Sequence, residues 1–276
     1  MSVVYLNGSF VPYEKALVPV EDRGFLFADG IYEVIRVYGG KPFALHDHML
    51  RLARSAELME LPFATSPAHL QTMALEALAR SHLKEATIYI QVTRGFAGPR
   101  THDWPQEPQP TELILVRSYE ASPKEGLHLA AVEDQRWELC HIKSIGLYLN
   151  TRARQEARKK GADDGLFIRE GVVTEASSSN FFAVHRGSLH THPEDHRILP
   201  GITRRYVLRL ARDLGIPVKE EPFTYELALQ ADEAFITGTT SEVTSVLRLD
   251  HHPIGGGQPG PITRRLQEAY RDLTRG

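Results

Sequence analysis

The sequence predicts an α+β protein, because helix-like and strand-like stretches are mixed along the chain without regular alternation. Several stretches repeat apolar residues with a period near 3.6, whereas residues 87–94 alternate apolar and polar side chains. A polar stretch at residues 119–126, which contains Pro123 and Gly126, separates two predicted strands. We therefore expect a smaller N-terminal domain over residues 1–118, a linker over 119–126 and a larger C-terminal domain over 127–276.

Five helices are predicted from apolar stripes and from residues that favour helix ends. In the first helix, Met49, Leu52 and Ala56 fall on one face. The second begins at Ser66-Pro67, where a serine cap precedes a proline at the first helical position. The other three cover residues 147–160, 203–214 and 262–273, and the first covers 46–60.

Six strands are predicted from short runs of β-branched and aromatic residues. Two hairpin turns are predicted at Glu170-Gly171 and Arg186-Gly187, since such pairs favour tight turns. The predicted strands cover residues 87–94, 112–117, 127–132, 166–169, 181–185 and 234–237.

Composition excludes several classes of protein. The 276 residues carry 32 Lys and Arg against 35 Asp and Glu, a net charge of −3, so no basic field favours nucleic acid or an anionic membrane. The single cysteine, Cys140, excludes a disulfide within the chain and favours a reducing compartment. The first residues lack the basic stretch and apolar run typical of a secretory signal, and no run of 18 apolar residues occurs, so we expect no secretory signal and a cytoplasmic location. The 13 histidines show no metal-binding spacing, and no metal is expected.

Lys143 lies in a locally apolar stretch and has two interpretations. It is either a surface lysine near a strand end or an amine that attacks a carbonyl, for which burial or a nearby cation must keep it neutral part of the time.

The stretch from Thr174 to Phe182 also leaves two interpretations open. Glu175 is followed by three serines and Asn180, so it belongs either to a polar turn or to a buried acid that pairs with a cation such as a protonated ring nitrogen. Further on, Gly201 precedes a predicted helix start, which is either a plain threonine cap or a seat for phosphate. Thr239 follows a predicted strand and suits phosphate oxygens or a capped turn equally.

Read together, these segments resemble the class IV, or fold type IV, aminotransferases that use pyridoxal 5'-phosphate. Within that family, the D-amino-acid transaminases are the most similar subgroup, because Arg100 and His102 form an Arg-x-His pair. Further matching segments lie at 22–34, 48–56, 92–95, 142–144 and 232–235. The family signature is met in order by Glu175, Ser177, Asn180, Phe181, Phe182, Leu189, Thr191, Leu199, Gly201, Ile202 and Arg204.

The resemblance implies a role for each site residue. Lys143 would bond covalently to the cofactor aldehyde and move the proton between the substrate Cα and the cofactor C4′. Glu175 would pair with the pyridine nitrogen, and Tyr148 would bond the 3′ oxygen. The substrate carboxylate would be held by Tyr32 together with Arg100 and His102 of the neighbouring subunit. The phosphate would be held by Arg51, Ile202, Thr203 and Thr239.

The resemblance also implies a fold, an activity and an assembly. The fold has a small N-terminal α/β domain and a larger C-terminal domain with a barrel-like mixed sheet. The activity is transamination between a D-amino acid, of the D-alanine or D-glutamate type, and a 2-oxo acid. The alternatives on the same fold are a branched-chain L-amino-acid aminotransferase and an aminodeoxychorismate lyase. The assembly is a homodimer with its active site at the subunit interface.

Overall fold

The computed structural model describes residues 3–96, 98–120 and 125–275, which form two compact units. The first unit comprises Met1–Ala121 and Ile142–Gly146, and the second comprises Ser122–His141 and Leu147–Gly276. Of the predicted linker, residues 121–124 lie outside the described residues. Among the helices that are described, each is too short or too polar to cross a bilayer.

A six-stranded antiparallel sheet forms the body of the first unit, with strand order β2-β1-β6-β5-β3-β4. The alternation predicted for β5 is real, since Ile88, Ile90 and Val92 are fully buried and pack with apolar residues of α2 and α3. The strands are β1 (Val3–Leu6), β2 (Ser9–Pro12), β3 (Gly30–Tyr38), β4 (Lys41–Pro42), β5 (Ala86–Phe96) and β6 (Gln109–Ser118), and the helices are α1 (Arg23–Phe27), α2 (Leu45–Leu58) and α3 (Pro67–Ser81).

Capping residues determine where two of these helices begin. The Ser66 hydroxyl accepts a hydrogen bond from the His69 amide at 3.1 Å, which confirms the predicted start of α3. Asp22 caps the short helix α1 by accepting from the Gly24 amide at 2.7 Å. The same carboxylate accepts from the hydroxyls of Thr93 and Thr111, so it also fastens α1 to strands β5 and β6.

The segment Ile142–Gly146 belongs to the first unit, although the sequence placed Lys143 in the C-terminal domain. Ser144 forms a β-bridge with Ile31, and the Tyr32 amide donates to the Lys143 carbonyl at 3.0 Å. The Ile145 amide donates to the Gly30 carbonyl at 3.0 Å. These backbone bonds to β3 are contacts between distant parts of the chain, so local composition did not indicate them. The assignment of Lys143 to the C-terminal domain is therefore corrected.

The second unit is built on a nine-stranded mixed sheet. Its strands are β7 (Leu127–Glu133), β8 (Asp164–Arg169), β9 (Val172–Ala176), β10 (Asn180–His185), β11 (Ser188–Thr191), β12 (Val218–Glu220), β13 (Glu233–Gly238), β14 (Glu242–Leu249) and β15 (His252–Pro253), and its helices are α4 (Tyr148–Lys159), α5 (Ile202–Asp213), α6 (Tyr225–Leu229) and α7 (Pro261–Arg275).

Six of these strands close into a ring, which confirms the barrel-like mixed sheet. Pairing runs from β7 through β8, β9, β10, β13 and β14 and returns to β7. The pairs of β7 with β8 and with β14 are parallel, and the other pairs in the ring are antiparallel. The ring closes between β9 and β10, where Glu175 pairs with Asn180. A candidate site residue therefore lies at the closure point of the sheet.

Candidate active site

In the first unit, the backbone fixes Lys143 beside Tyr32. The Lys143 amide donates to the Ser55 hydroxyl on α2 at 3.2 Å, and its carbonyl accepts from the Tyr32 amide on β3. The Lys143 Nζ atom lies 4.3 Å from the centroid of the Tyr32 ring. The structure thus brings together two of the residues predicted from the sequence.

Arg51 is oriented by Glu33, which also contacts His48; the sequence analysis gave neither residue a role. It lies on α2, and its Nε and Nη2 atoms donate to the two carboxylate oxygens of Glu33 at 2.7 and 2.8 Å. His48, one turn earlier on α2, contacts the same carboxylate through Nδ1 at 2.7 Å. Glu33 is fully buried on β3. The fork of Arg51 is therefore held in one orientation by a bidentate contact.

The pKa shifts of Glu33 and His48 agree with these contacts. Burial alone would raise the pKa of Glu33, but Arg51 and His48 outweigh it and hold that pKa well below its ordinary range. Burial lowers the pKa of His48, with Glu33 opposing and with Arg51 and Lys143 adding to the decrease. Glu33 is therefore an anion and His48 a neutral donor at neutral pH.

Arg100 and His102 lie on the exposed loop that follows β5, and they share one aromatic neighbour. The Arg100 guanidinium is 4.8 Å from the centre of the Phe27 ring. The His102 ring lies 5.6 Å from the same ring, centre to centre. Both side chains are exposed within this chain. The predicted pair is thus brought together at the end of α1.

In the second unit, Glu175 is a buried acid, which decides between the two interpretations of its sequence. Arg136 donates to its Oε1 atom at 2.6 Å, and the Asn180 amide donates to Oε2 at 3.0 Å. The Leu199 backbone amide donates to both oxygens at 3.2 and 3.3 Å. Burial raises the pKa of Glu175, while Arg136 and the Leu199 amide oppose that rise.

Arg136 contacts the candidate residue Glu175, and the sequence analysis gave this arginine no role. Its Nε and Nη2 atoms donate to Asp134 at 2.9 Å each, so one guanidinium joins two buried carboxylates. Although burial opposes it, Glu175 and Asp134 hold the pKa of Arg136 above its ordinary value. The sequence does contain an Asp-x-Arg pattern shortly after a predicted strand. This pattern predicts no role by itself, because only the structure shows that Glu175 lies beside it.

The start of helix α5 is suited to an anion. Gly201 precedes the helix without any side-chain cap, so the first amides, including those of Ile202 and Thr203, lack a side-chain capping partner. A Cβ atom on Gly201 would come within 2.0 Å of the Asn180 Oδ1 atom, so only glycine fits here. Asn180 also donates to the Leu199 carbonyl at 2.8 Å. This amide therefore couples Glu175 to the turn from which α5 begins.

The remaining predicted residues are placed as follows. Thr239 is half-buried in the turn between β13 and β14, where Ser179 and Ser241 lie 3.4 Å apart through their hydroxyls. Tyr148 begins α4 with 73% of its surface exposed, outside the buried group around Glu175.

In the ranges that the structure describes, no three His, Cys, Asp or Glu side chains could jointly hold a metal ion. His192, for example, is already bonded to the Val173 carbonyl and to Asp195.

Comparisons with known proteins show which family this chain resembles along its length. The family model described as amino-transferase class IV matches residues 30–249. A protein named D-alanine aminotransferase from Staphylococcus haemolyticus is 40% identical over 274 residues, which cover 98% of this chain and 97% of that protein.

Two crystal structures of branched-chain aminotransferases are also similar. The enzyme from Thermoproteus uzoniensis, solved with norvaline, has a TM-score of 0.92 and 33% identity, and the match covers 99% of this chain and 95% of that one. The T.th. enzyme, solved with pyridoxamine 5'-phosphate, has a TM-score of 0.92 and 29% identity, with 99% of this chain and 94% of that one covered.

Proposed function

Because this chain belongs to the class IV aminotransferase family, we propose that it transfers the amino group of a D-amino acid, of the D-alanine or D-glutamate type, to a 2-oxo acid. The observation that carries the D-specific part is the pair of Arg100 and His102 on the Phe27 ring. The relatives named D-alanine aminotransferase, which match along nearly the whole chain, support the same substrate. The cytoplasmic location expected from the sequence stays a prediction.

The cofactor of this class is pyridoxal 5'-phosphate. When the cofactor is bound, its ring takes up the electron pair left at the substrate Cα. The second unit has residues that fit such a group: a buried acid for the ring nitrogen and an uncapped helix start for the phosphate. Glu175 would hold the proton on that nitrogen. Ile202 and Thr203 would bind the phosphate through backbone amides, and Thr239 through its hydroxyl.

In the first unit, Lys143 and Arg51 are the residues that would engage the cofactor. Lys143 would hold the cofactor through its side-chain amine, and the same amine would carry the proton between the substrate Cα and the cofactor C4′. Its position above the Tyr32 ring, fixed by backbone bonds to β3, supports this role. Arg51 would bind the phosphate, and its fixed orientation against Glu33 lowers the entropy lost on binding. The role of Tyr148 at the 3′ oxygen stays a prediction.

The substrate carboxylate would be bound by Tyr32, and by Arg100 and His102 supplied by a second copy of the chain. A guanidinium suits this task because its planar fork forms two hydrogen bonds with a carboxylate. Both loop side chains are exposed in the single chain, as residues that reach into a partner must be. The proposal therefore includes a homodimer with shared active sites.

Replacement of Lys143 by alanine tests the function directly. The purified wild-type protein is expected to be yellow, and borohydride reduction should fix the cofactor to Lys143 in a peptide map. Lys143→Ala should lose the yellow band and transamination of D-alanine, whereas Lys41→Ala, which changes an exposed lysine, should keep both. L-leucine should react far more slowly than D-alanine in the half-reaction. Turnover of D-alanine by Lys143→Ala, or faster reaction of L-leucine, would contradict the proposal.

A further inference from the structure

Arg23, the first residue of α1, is a buried arginine that holds the loop carrying Arg100 and His102. Its Nη1 atom donates to the backbone carbonyls of Thr101 and Asp103 at 2.9 and 3.1 Å. These two carbonyls lie on either side of His102 in the chain. Arg23 is only 7% exposed. One guanidinium therefore fixes the backbone immediately before and after a proposed substrate-binding residue.

A second arginine supports the same loop through a shared carboxylate. Asp29 accepts from Arg23 Nε at 3.0 Å and from Arg94 Nε at 2.8 Å. The Arg94 guanidinium lies 4.0 Å from the centre of the Trp104 ring, on the same loop. Its other nitrogens donate to the carbonyls of Met59 and Glu60 just after helix α2. The loop is thus tied to the body of the first unit at three points, 101, 103 and 104.

Phe27 extends this arrangement to the side chains. The Arg23 guanidinium packs on its ring at 4.6 Å, and Arg100 and His102 contact that same ring. Arg23 therefore fixes both the backbone of the loop and the aromatic surface on which the pair rests. Its Nε and Nη1 atoms are bonded to Asp29 and to two loop carbonyls, which are contacts that position other residues.

We propose that Arg23 is a positioning residue for the substrate carboxylate: it holds the 100–103 loop so that Arg100 and His102 meet the carboxylate already oriented. An exposed loop that had to be ordered by each substrate would lose affinity through the entropy of ordering. The proposal rests on the proposed function, since it takes Arg100 and His102 to be the carboxylate-binding pair. Because the amino acid and the 2-oxo acid both carry this carboxylate, Arg23 acts on both substrates equally.

The test compares Arg23→Gln with Arg36→Gln in the holoenzyme. Arg36 is a matched control, because it is also a buried arginine of the first unit that donates to backbone carbonyls, those of Val37 and Ala86, at another place. Arg23→Gln should raise the KM for D-alanine and for the 2-oxo acid about tenfold, which corresponds to ~1.4 kcal/mol. Its kcat should stay within about threefold of the wild type, because the lost interaction binds the substrate and the transition state equally. Its cofactor absorbance should be unchanged.

A second measurement reads the loop without any reaction. The chain has two tryptophans, Trp104 and Trp137, so Trp137→Phe leaves Trp104 as a fluorescent reporter on the loop. In that background, Arg23→Gln should about double the amplitude of nanosecond motion in time-resolved anisotropy, and Arg36→Gln should not. Arg23→Lys, which keeps a positive charge beside Asp29, is the second variant if Arg23→Gln fails to fold. It should change both measurements in the same direction.

The two measurements separate the possible failures. An unchanged KM, or an equal rise in Arg36→Gln, overturns the proposal. If the wild-type protein does not transaminate D-alanine, the proposed function fails, and the anisotropy alone then decides whether Arg23 holds the loop. Anisotropy that is the same in Arg23→Gln and the wild type overturns the proposal in either case.

Discussion

Both units bury a glutamate carboxylate, yet the pKa values of the two groups move in opposite directions. Glu33 on β3 has its pKa held well below the ordinary range, whereas burial raises the pKa of Glu175 on β9. Burial is the largest single influence on both, so depth does not distinguish them. The difference lies in their hydrogen-bond partners.

Glu33 receives two hydrogen bonds from one cation. Arg51 donates both of these N–H groups, and His48 adds a third donor. Such a set favours the anion strongly enough to exceed the cost of desolvation.

Glu175 instead shares its cation with a second carboxylate. Arg136 gives one nitrogen to Glu175 and two to Asp134, and the nearby negative charge of Asp134 opposes the effect of Arg136 on the pKa of Glu175. The remaining donors, Asn180 and the Leu199 amide, are neutral. A carboxyl in this position responds to any further positive charge brought beside it, and in the proposed function a protonated ring nitrogen supplies that charge. Glu33, by contrast, acts as a fixed anion that orients Arg51.

The largest expected effect is on the free energy of unfolding, which should fall more when Glu33 is replaced than when Glu175 is replaced. Glu33→Gln leaves Arg51 without its buried anion and should reduce the free energy of unfolding by about 3–5 kcal/mol. Glu175→Gln leaves Arg136 paired with Asp134 and should cost about 1–2 kcal/mol. Urea denaturation at pH 7, with the cofactor removed, measures both.

The control for this comparison is Glu57→Gln. Glu57 is an exposed glutamate on α2 that pairs with Arg54, and its replacement should stay within about 0.5 kcal/mol of the wild type. Equal losses in Glu33→Gln and Glu175→Gln would show that the sharing of a cation does not distinguish the sites.

The pH dependence of these two variants should differ in sign. The lowered pKa of Glu33 gives stability that is present above its ordinary value of 4.5 and lost as the pH falls below it, so the deficit of Glu33→Gln should shrink from pH 5.5 to 3.5. The raised pKa of Glu175 gives stability that is present below 4.5 and lost as the pH rises, so Glu175→Gln should gain on the wild type from pH 4.5 to 7. Each slope is at most about 1.4 kcal/mol per pH unit. Parallel slopes would contradict the assigned charge states.

Local signals in the sequence were sufficient for much of the fold. The Ser66 cap, the alternation in β5 and the turns at Glu170-Gly171 and Arg186-Gly187 are confirmed, because each depends on neighbouring residues alone. Strand β3 was not predicted. It is buried almost throughout, so it lacks the alternation that marks a half-exposed strand, and it contains the charged residues Glu33 and Arg36.

In the candidate site, too, some residues were predicted from the sequence and others were not. Lys143, Glu175, Arg51 and the start of α5 were predicted from a family pattern, which carries information about distant contacts that a single segment lacks, and their roles stay predictions. The groups that tune them were not found, because Arg136 lies 39 residues from Glu175 in the chain. The two residues meet only because β7, which precedes Arg136, pairs with β8, and β8 pairs with β9, which carries Glu175.

The smallest expected effect concerns whether His48 supports Glu33 as a charge or only as a donor. Burial lowers the pKa of His48, so the folded protein keeps the ring neutral, with Nδ1–H donating to Glu33. Asparagine can present an N–H group at the same place, so His48→Asn should cost only about 1 kcal/mol at pH 8. Because the unfolded chain takes up a proton near pH 6.5 that the folded ring resists, the wild type should lose stability below that pH. The difference between His48→Asn and the wild type should therefore narrow from pH 7 to 5 in urea denaturation. A difference that widens over this range would mean that His48 is a buried cation, and that Glu33 depends on two positive charges rather than one.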